Sequence, residues 1–292
     1  MAMRVMIPYD VPGTFHRAQL HCHTTESDGR FTPRDLLRMY RDAGYSFVAL
    51  TDHNRVTRCD DLNGSDFLAI PGTEDTVSRL LRPLGPHMGR LFVDVPLREG
   101  TAQQRVDRTV ASGGIVSLCH PSWTGNLWTG TWSPQAVVTL RGYHLLEIWN
   151  PHSNPTEDLR RWDMALTARG PQAPVWGVAV DDCHHAGQFD RGWIMVKVPA
   201  VTAEALRAAL LGGAFYASTG LSGEVTVSDG RIDVLVDEPA RIRFVGRGGR
   251  LLAEARGTAA GYRPDGTEGY VRVEATSGGR ALWSQPLWVA PE

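Results

Sequence analysis

Histidines and carboxylates recur along this chain immediately after short apolar runs. The first group is His21-Cys22-His23, and the next groups are Asp52-His53 and Glu74. His120 and the group Asp182-Cys183-His184 follow later in the chain. Imidazole nitrogens and carboxylate oxygens are ligands of zinc and similar transition metals, and a carboxylate can bridge two ions. These residue types therefore indicate metal chemistry, provided that the fold brings them together.

The elements that must position these residues alternate between predicted strands and helices. Apolar runs at residues 18–23, 47–51, 67–70, 91–95, 115–119, 145–149 and 175–180 are typical of strands. We predict a helix that begins at Thr32-Pro33 and others near residues 102–111, 133–140, 157–168 and 203–211. This alternation predicts an α/β fold with a parallel sheet, either a distorted (β/α)7 barrel or an open doubly wound sheet. The polar strand ends favour the barrel, because its strands all end at the face where active sites lie.

The pattern of predicted secondary structure changes near residue 220. Short alternating β runs separated by Asp-Gly, Gly-Gly and Ser-Gly-Gly turns fill residues 220–292, and no helical period is visible there. We therefore predict two domains. Residues 1–219 form the metal-binding barrel, and residues 220–292 form a small antiparallel β domain.

Composition excludes several classes of protein. The formal net charge of the 292 residues is -2, so no overall positive field favours nucleic acid or a membrane surface. No apolar run reaches the roughly 18 residues of a membrane span, and no apolar signal segment follows the N-terminus. The four cysteines lack the spacing of a disulfide framework. We therefore expect a cytoplasmic protein that acts on a small molecule and binds neither nucleic acid nor membrane; its oligomeric state is not indicated.

Strand geometry predicts which of these side chains point together. Because side chains alternate along a strand, His21 and His23 face the same way. The same rule pairs Asp182 with His184 and turns Asp181 away, unless the strand has already ended before Asp181. Four or more imidazoles and three carboxylates exceed the needs of one ion, so we expect two or three divalent transition metal ions. The histidines without such a partner, which are weaker candidates, are His16, His144, His152 and His185.

Taken in order, these residues resemble the motifs of the PHP family, a branch of metal-dependent phosphoesterases named for polymerase and histidinol phosphatase. The matching segments are His21-Cys22-His23, Ser27-Asp28-Gly29, Thr51-Asp52-His53-Asn54, Pro71-Gly72-Thr73-Glu74, Cys119-His120-Pro121 and Asp182-Cys183-His184. The resemblance covers roughly residues 17–219 and is specific as an ordered set. The segment 215–220 and the trailing β runs resemble a two-domain bacterial branch that also includes carbamate-cleaving hydrolases.

The resemblance implies a distorted seven-stranded barrel that holds up to three zinc, manganese or iron ions. It implies that the first ion is held by His21, His23, Glu74 and Asp182. It implies that Glu74 bridges to a second ion held by His87 and His120, and that a third is held by Asp28, His53 and His184. His87 departs from the family pattern, since the chain has Pro86-His87-Met88 where members tend to have Gly-His. Glu74, Asp182 and His184 are the residues predicted to be catalytic.

Metal ions held in this way predict hydrolysis. Paired divalent ions lower the pKa of a bridging water and neutralise charge on substrate oxygens, which suits phosphate esters. The leading prediction is a phosphoesterase that uses a metal-activated hydroxide on a small phosphomonoester or phosphodiester. The same ions would polarise a carbonyl, so an amide, ester or carbamate hydrolase is the alternative within this class. A non-catalytic metal-binding module is the alternative outside it, and the full set of ligands favours the enzyme.

Four further residues are predicted to bind the substrate. Arg17 and Arg55 lie close to predicted ligands and could bind a phosphate, or could be ordinary surface arginines. Trp123 begins a loop with three tryptophans that could stack an aromatic group, or could pack as a lid on the barrel rim. Asn150 follows the predicted strand 145–149 and could line the same pocket.

Overall fold

The computed structural model describes residues 3–78 and 84–291, which form a mixed α/β fold with one large sheet. The strands are β1 (Met3–Met6), β2 (Thr14–Gln19), β3 (Tyr45–Leu50), β4 (Leu68–Thr76), β5 (His87–Leu91), β6 (Ile115–Leu118), β7 (Leu145–Trp149), β8 (Trp176–Ala179), β9 (Trp193–Val198), β10 (Phe215–Ser218), β11 (Gly223–Ser228), β12 (Arg231–Gly246), β13 (Arg250–Tyr262), β14 (Tyr270–Ser277), β15 (Arg280–Trp283) and β16 (Leu287–Pro291). The helices are α1 (Pro33–Asp42), α2 (Ala102–Ala111), α3 (Pro134–Thr139), α4 (Pro155–Arg169) and α5 (Ala203–Gly212).

The helices begin where a side chain can accept hydrogen bonds from the first free amides. Thr32 caps α1, and a proline occupies its first turn, as predicted from the sequence. Thr101 and Gln104 form a reciprocal capping box at the start of α2. Asn154 caps α4 directly after the loop that follows β7. Within the described ranges, every helix is too short or too polar to span a membrane.

Seven consecutive strands, β2 to β8, lie side by side in sequence order. The strands β2, β3 and β4 are parallel, as are β6, β7 and β8, whereas β5 is antiparallel to both of its neighbours. Beyond the ends of β2 and β8, Cys22 and Cys183 form a parallel bridge, and the amide of Asp182 donates to the carbonyl of His21 at 3.0 Å. The segments that follow the first and last of these strands are therefore neighbours.

Three strand predictions require correction. The predicted strand at 91–95 is wrong, because β5 lies earlier and runs in the opposite direction. Its first residue, His87, therefore lies at the edge where the parallel strands end. The strand predicted at 18–23 ends at Gln19, so His21 and His23 lie beyond it. The strands β1, β9 and β10 are missing from the prediction. In β9 the half-buried positions are mostly apolar, since they hold Trp193 and Met195, so Lys197 alone marks the alternation in the sequence.

The strands β11 to β16 pair in antiparallel fashion with their neighbours. They continue the same sheet, because β15 also pairs with β10. At the other end of the chain, β1 pairs with β16. The antiparallel character expected after residue 220 is therefore present, and these strands are joined to the rest of the sheet by backbone hydrogen bonds.

A buried ionic network joins the C-terminal strands to α4. Arg272 of β14 donates to both carboxylate oxygens of Asp163, at 2.8 and 2.7 Å, and to Glu274 at 2.6 Å. The hydroxyl of Tyr270 donates to Asp163 at 2.7 Å. All four residues are buried. This network therefore fixes the C-terminal strands against α4, the helix that follows β7.

Candidate metal centre

The carboxylate of Glu74 lies at the centre of a buried group of histidines. Its oxygen Oε1 is 2.9 Å from Nδ1 of His87 and 2.9 Å from Nε2 of His120. The other oxygen, Oε2, is 3.0 Å from Nδ1 of His53. Glu74 is in β4 and is 1% exposed. Because β5 runs antiparallel to β4, His87 at its start comes directly beside this carboxylate.

The second oxygen of Glu74 also faces His21 and His23, which follow β2. Oε2 lies 3.4 and 3.3 Å from the Nε2 atoms of these histidines, and Oδ1 of Asp182 lies 3.3 and 3.2 Å from the same atoms. The two Nε2 atoms are 3.1 Å apart. Oδ1 of Asp182 is buried and makes no hydrogen bond of acceptable geometry to a described residue. These atoms converge on a common point instead of pairing, which suits a bound cation.

A third group of ligand atoms lies on the side that opens to solvent. Atoms of His23, Asp28, His53 and His184 all lie within 4.8 Å of one another. The carboxylate oxygens of Asp28 are 3.5 Å from His53, 3.5 Å from His184 and 3.7 Å from His23. The side chain of Asp28 is 55% exposed, in contrast to that of Glu74. This group therefore marks the accessible end of the cluster.

The charges of the cluster favour a cation. Burial alone would raise the pKa of the Glu74 carboxyl, but the surrounding histidines lower it well below its usual range. The pKa of the Asp182 carboxyl is lowered in the same way, again against burial. Burial lowers the pKa of His53, yet Glu74 and Asp28 outweigh it and raise that pKa to about 10. The ionised carboxylates thus draw positive charge into the site, and a divalent cation would take the place of those protons.

Glu147 of β7 forms hydrogen bonds with residues of this cluster. Its Oε1 lies 2.7 Å from Nδ1 of His21, and its Oε2 accepts hydrogen bonds from the amide of His120 at 2.6 Å and from Asn150 at 2.8 Å. Asn150 also donates to Asp182 at 3.2 Å. Carboxylates that accept from the second ring nitrogen of a metal-binding histidine fix its orientation and tautomer. Glu147 is not among the residues predicted from the sequence, although a lone carboxylate inside an apolar strand was a signal for it.

The adjacent residues Asp181 and Asp182 face opposite sides. Asp181 accepts from the amides of residues 190–192 at 2.6 to 2.8 Å and from the hydroxyl of Tyr40 at 2.8 Å. Asp182 faces the histidines. Strand alternation does not cause this difference, because β8 already ends at Ala179. It follows a turn of the backbone instead, since Asp182 has a left-handed φ of 47°.

His120 shares this backbone conformation, with a φ of 28°. A non-glycine residue in the left-handed region costs on the order of 1–3 kcal/mol and persists where its surroundings fix it. The hydrogen bond from its amide to Glu147 is one such constraint. Strain of this kind concentrates at functional sites, and here two residues of one cluster carry it.

Neither a protein-family model nor a curated protein matches the sequence. Among solved structures, the chain is similar to a two-domain protein from Bacteroides vulgatus ATCC 8482 that contains a predicted PHP-like metal-dependent phosphoesterase. The TM-score is 0.56, with 16% identity over 96% of this chain and 98% of that one. This likeness shows the fold. An amidohydrolase from Chromobacterium violaceum, with bound sulfate and no metal, has a TM-score of 0.41 and 13% identity over 59% of this chain and 88% of its own.

The predicted substrate residue Trp123 packs directly against the cluster. Its ring centroid lies 4.8 Å from that of His120 and 5.3 Å from that of His87. The ring also contacts Gly125 and Gly130 so closely that a Cβ atom at either glycine would lie within 2.4 Å of it. The ring is thus held between the loop backbone and two histidines. Asn150, another predicted substrate residue, is buried beneath Asp182.

The two predicted phosphate-binding arginines have different surroundings. Arg17 pairs with Asp190 and lies over the rings of Tyr45 and Trp193, at 4.2 and 3.9 Å, outside the histidine cluster. Arg55 pairs with Glu26, and its side chain is 58% exposed. Arg55 follows His53 by two residues and therefore lies at the rim of the cluster.

His152, a weaker candidate in the sequence, also lies near the centre. One of its ring nitrogens lies within 4.8 Å of ligand atoms of Asp182 and His184. Its Nε2 is 2.8 Å from Nε2 of Gln188, and its ring centroid is 5.9 Å from that of His184. The loop after β7 thus brings a further imidazole to the accessible side of the cluster. No feature of the sequence indicated this, because His152 has no other ligand-type residue at strand or helix spacing.

Proposed function

We propose that this protein is a metal-dependent hydrolase whose cluster holds two or three divalent transition metal ions. The observation that supports this proposal is the division of Glu74 between two groups of imidazoles, with His87 and His120 on Oε1 and with His21, His23 and His53 on Oε2. The proposed sets are His21, His23 and Asp182 with Glu74; His87 and His120 with Glu74; and Asp28, His53 and His184. Imidazole and carboxylate ligands suit zinc, manganese or iron.

The proposed reaction is hydrolysis of a small phosphomonoester or phosphodiester. When bound, such ions lower the pKa of coordinated water and neutralise charge on the substrate oxygens. Glu74 and Asp182 supply the negative charge that holds the cations, and Glu147 keeps His21 oriented. The substrate would enter beside Asp28, where the cluster is exposed. The similar Bacteroides vulgatus protein is described as containing a predicted phosphoesterase, which supports the choice of phosphate esters.

Further roles within this proposal concern residues at the rim. We assign Arg55 to the substrate phosphate, because it follows His53 by two residues and its side chain is 58% exposed; the substrate phosphate would replace Glu26 as its partner. His184, whose side chain is 24% exposed, would contact the reacting group together with Asp182 and Glu74. Arg17 is less suited to this role, since its guanidinium is engaged by Asp190 and two aromatic rings.

The proposal includes the predicted architecture around this centre. The bridge between Cys22 and Cys183 supports closure of β2 to β8 into a distorted seven-stranded barrel within residues 1–219. Residues 220–292 would form the second, antiparallel domain. We also propose a cytoplasmic location and a small-molecule substrate.

Metal analysis combined with a substrate panel tests the proposed function. Purified protein should contain at least two equivalents of transition metal, and a chelator should abolish hydrolysis until manganese or zinc is restored. The panel compares phosphate monoesters and diesters with matched amides, esters and carbamates. Turnover of carbonyl substrates alone would replace the phosphoesterase with the carbonyl hydrolase. Fully loaded protein without turnover of either class would indicate a non-catalytic metal-binding module, and one equivalent or fewer would contradict a multinuclear centre.

A further inference from the structure

The turn between β14 and β15, residues 277–280, lies at the same edge of the sheet as the candidate metal centre. The strand β9 is antiparallel to β2, and β10 is antiparallel to β9, so β10 runs parallel to β2. Ser218, the last residue of β10, pairs with Leu282 of β15. The next residue, Thr219, donates from its amide to the carbonyl of Ala281 at 2.9 Å. The turn therefore projects at the edge where β2 ends and the histidines begin.

A groove with a volume of about 330 Å³ separates this turn from the end of β7. Its apolar surface comes from Trp149, Trp283 and Pro155, and Thr219 and Ser277 line it with hydroxyl groups. The volume is near the lower end of the range for small-molecule sites, which bind ligands mainly through apolar and aromatic walls. The groove is thus of a size and composition to hold a ring system.

The groove adjoins the cluster through one residue. Trp149 lines it, and the next residue, Asn150, donates to Glu147 and Asp182 at 2.8 and 3.2 Å. A group bound against Trp149 would therefore lie beside the segment that supports the metal ligands. The C-terminal strands supply the opposite wall, so both parts of the chain contribute to the groove.

The charge of the groove indicates which part of a ligand it accepts. Among its described lining residues, Arg280 alone carries a formal charge, and its guanidinium pairs with Glu238 of β12. The remaining lining residues are Trp149, the largely buried Trp283, and small, threonine, serine and proline residues. Such walls favour a neutral planar ring over a phosphate.

We propose that this groove is a substrate subsite that binds the neutral aromatic ring of an aryl or heteroaryl phosphoester whose phosphate lies at the metal centre. This inference rests on the proposed function. It assigns a role to the C-terminal strands, which supply Trp283 and the turn 277–280. It also moves aromatic recognition from Trp123, whose ring is packed against two histidines, to Trp149 and Trp283.

The substitution Ser277→Phe tests the subsite, because it adds a ring to one wall of the groove. The chain offers a matched control in the turn Ser228–Arg231, which has the same Ser-x-Gly-Arg sequence. Ser228 pairs with Arg231 as Ser277 pairs with Arg280. We would measure KM and kcat with 1-naphthyl phosphate and with methyl phosphate. Ser277→Phe should raise KM for 1-naphthyl phosphate at least tenfold and leave KM for methyl phosphate unchanged, whereas Ser228→Phe should change neither.

An unchanged KM for 1-naphthyl phosphate in a folded Ser277→Phe protein would overturn the subsite and leave the proposed hydrolase standing. If Ser277→Phe does not fold, Trp149→Leu provides the second test, since it removes an indole face and should raise the same KM about tenfold. If the unmodified protein hydrolyses neither substrate, the proposed function fails separately. The subsite is then decided by calorimetric titration, where tighter binding of 1-naphthyl than of methyl phosphate supports it and equal binding overturns it.

Discussion

Replacing Glu74 with glutamine keeps the size of the side chain and removes its negative charge. The two carboxylate oxygens lie 2.9 to 3.4 Å from five imidazoles, so the change reaches every proposed set that shares this residue. Even an outer partner of a metal ligand contributes roughly ten- to hundredfold to affinity or activity. Glu74 is a proposed ligand in two of the sets. If each set loses about ten- to hundredfold, the expected loss in kcat/KM is the product of the two losses, about 10²- to 10⁴-fold or about 3–5 kcal/mol.

A single histidine substitution should cost less. His21→Ala leaves His23, Asp182 and Glu74 in place around the same point, so we expect a loss of about ten- to hundredfold. The assay is kcat/KM on one phosphate ester at saturating metal, with elemental analysis of each variant. Glu157→Gln, an exposed glutamate that pairs with Arg160, is the matched control and should retain full activity. If Glu74→Gln keeps most of the turnover while His21→Ala loses it, the shared carboxylate is not what holds the centre together.

Three further predictions concern residues around the centre. Asp182→Asn should lose bound metal and turnover. Asp181→Asn should keep its metal and melt at a lower temperature, because Asp181 accepts hydrogen bonds from the loop 190–192. Elemental analysis and thermal melting distinguish the two variants. Asp163→Asn should destabilise the fold by about 3–5 kcal/mol in denaturant unfolding, because it leaves the buried Arg272 partly uncompensated; a loss within experimental error would show that the C-terminal strands do not depend on this network. Burial, reinforced by two nearby arginines, lowers the pKa of His144 from its ordinary 6.5 to about 4. The unfolded chain therefore binds a proton that the folded chain does not, and stability should fall by up to about 3 kcal/mol as pH falls from 6.5 to 4; His144→Asn should remove this loss, and an unchanged pH dependence of unfolding would contradict it.

The fold was predictable where local patterns carry the signal. Thr32 and Pro33 mark the start of α1 because a capping side chain and a proline act within one turn. The strand β5 shows the limit. Its Arg90 is 2% exposed, since it donates to Asp75 at 2.8 Å and to Thr109 at 2.7 Å. A buried arginine makes a strand look polar in the sequence, and its partners come from another strand and a helix.

The sequence indicated which residue types gather in the candidate site, but it indicated less of their geometry. The sequence pattern associates histidines and carboxylates with strand ends, and the structure places Asp182 with His21 and His23. The expected cause was strand alternation, but the strand ends three residues earlier and the φ of Asp182 turns its side chain instead. The φ of Asp182 thus determines which of the two aspartates faces the histidines. The hydrogen bonds from the loop 190–192 hold the neighbouring Asp181 on the opposite side.

Glu147 contributes to the candidate site although no neighbouring residue in the sequence pairs with it. It has no partner at local spacing, and the histidine that it orients, His21, lies 126 residues earlier in the chain. Its position is nevertheless unusual on physical grounds, because a carboxylate inside an apolar strand must find hydrogen-bond donors or lose stability. Here the donors are His21, the amide of His120 and Asn150, all of which belong to the candidate site. In this chain, a buried acid in a core strand is therefore a sequence signal for the support of the candidate metal centre, independent of the signal from its histidines.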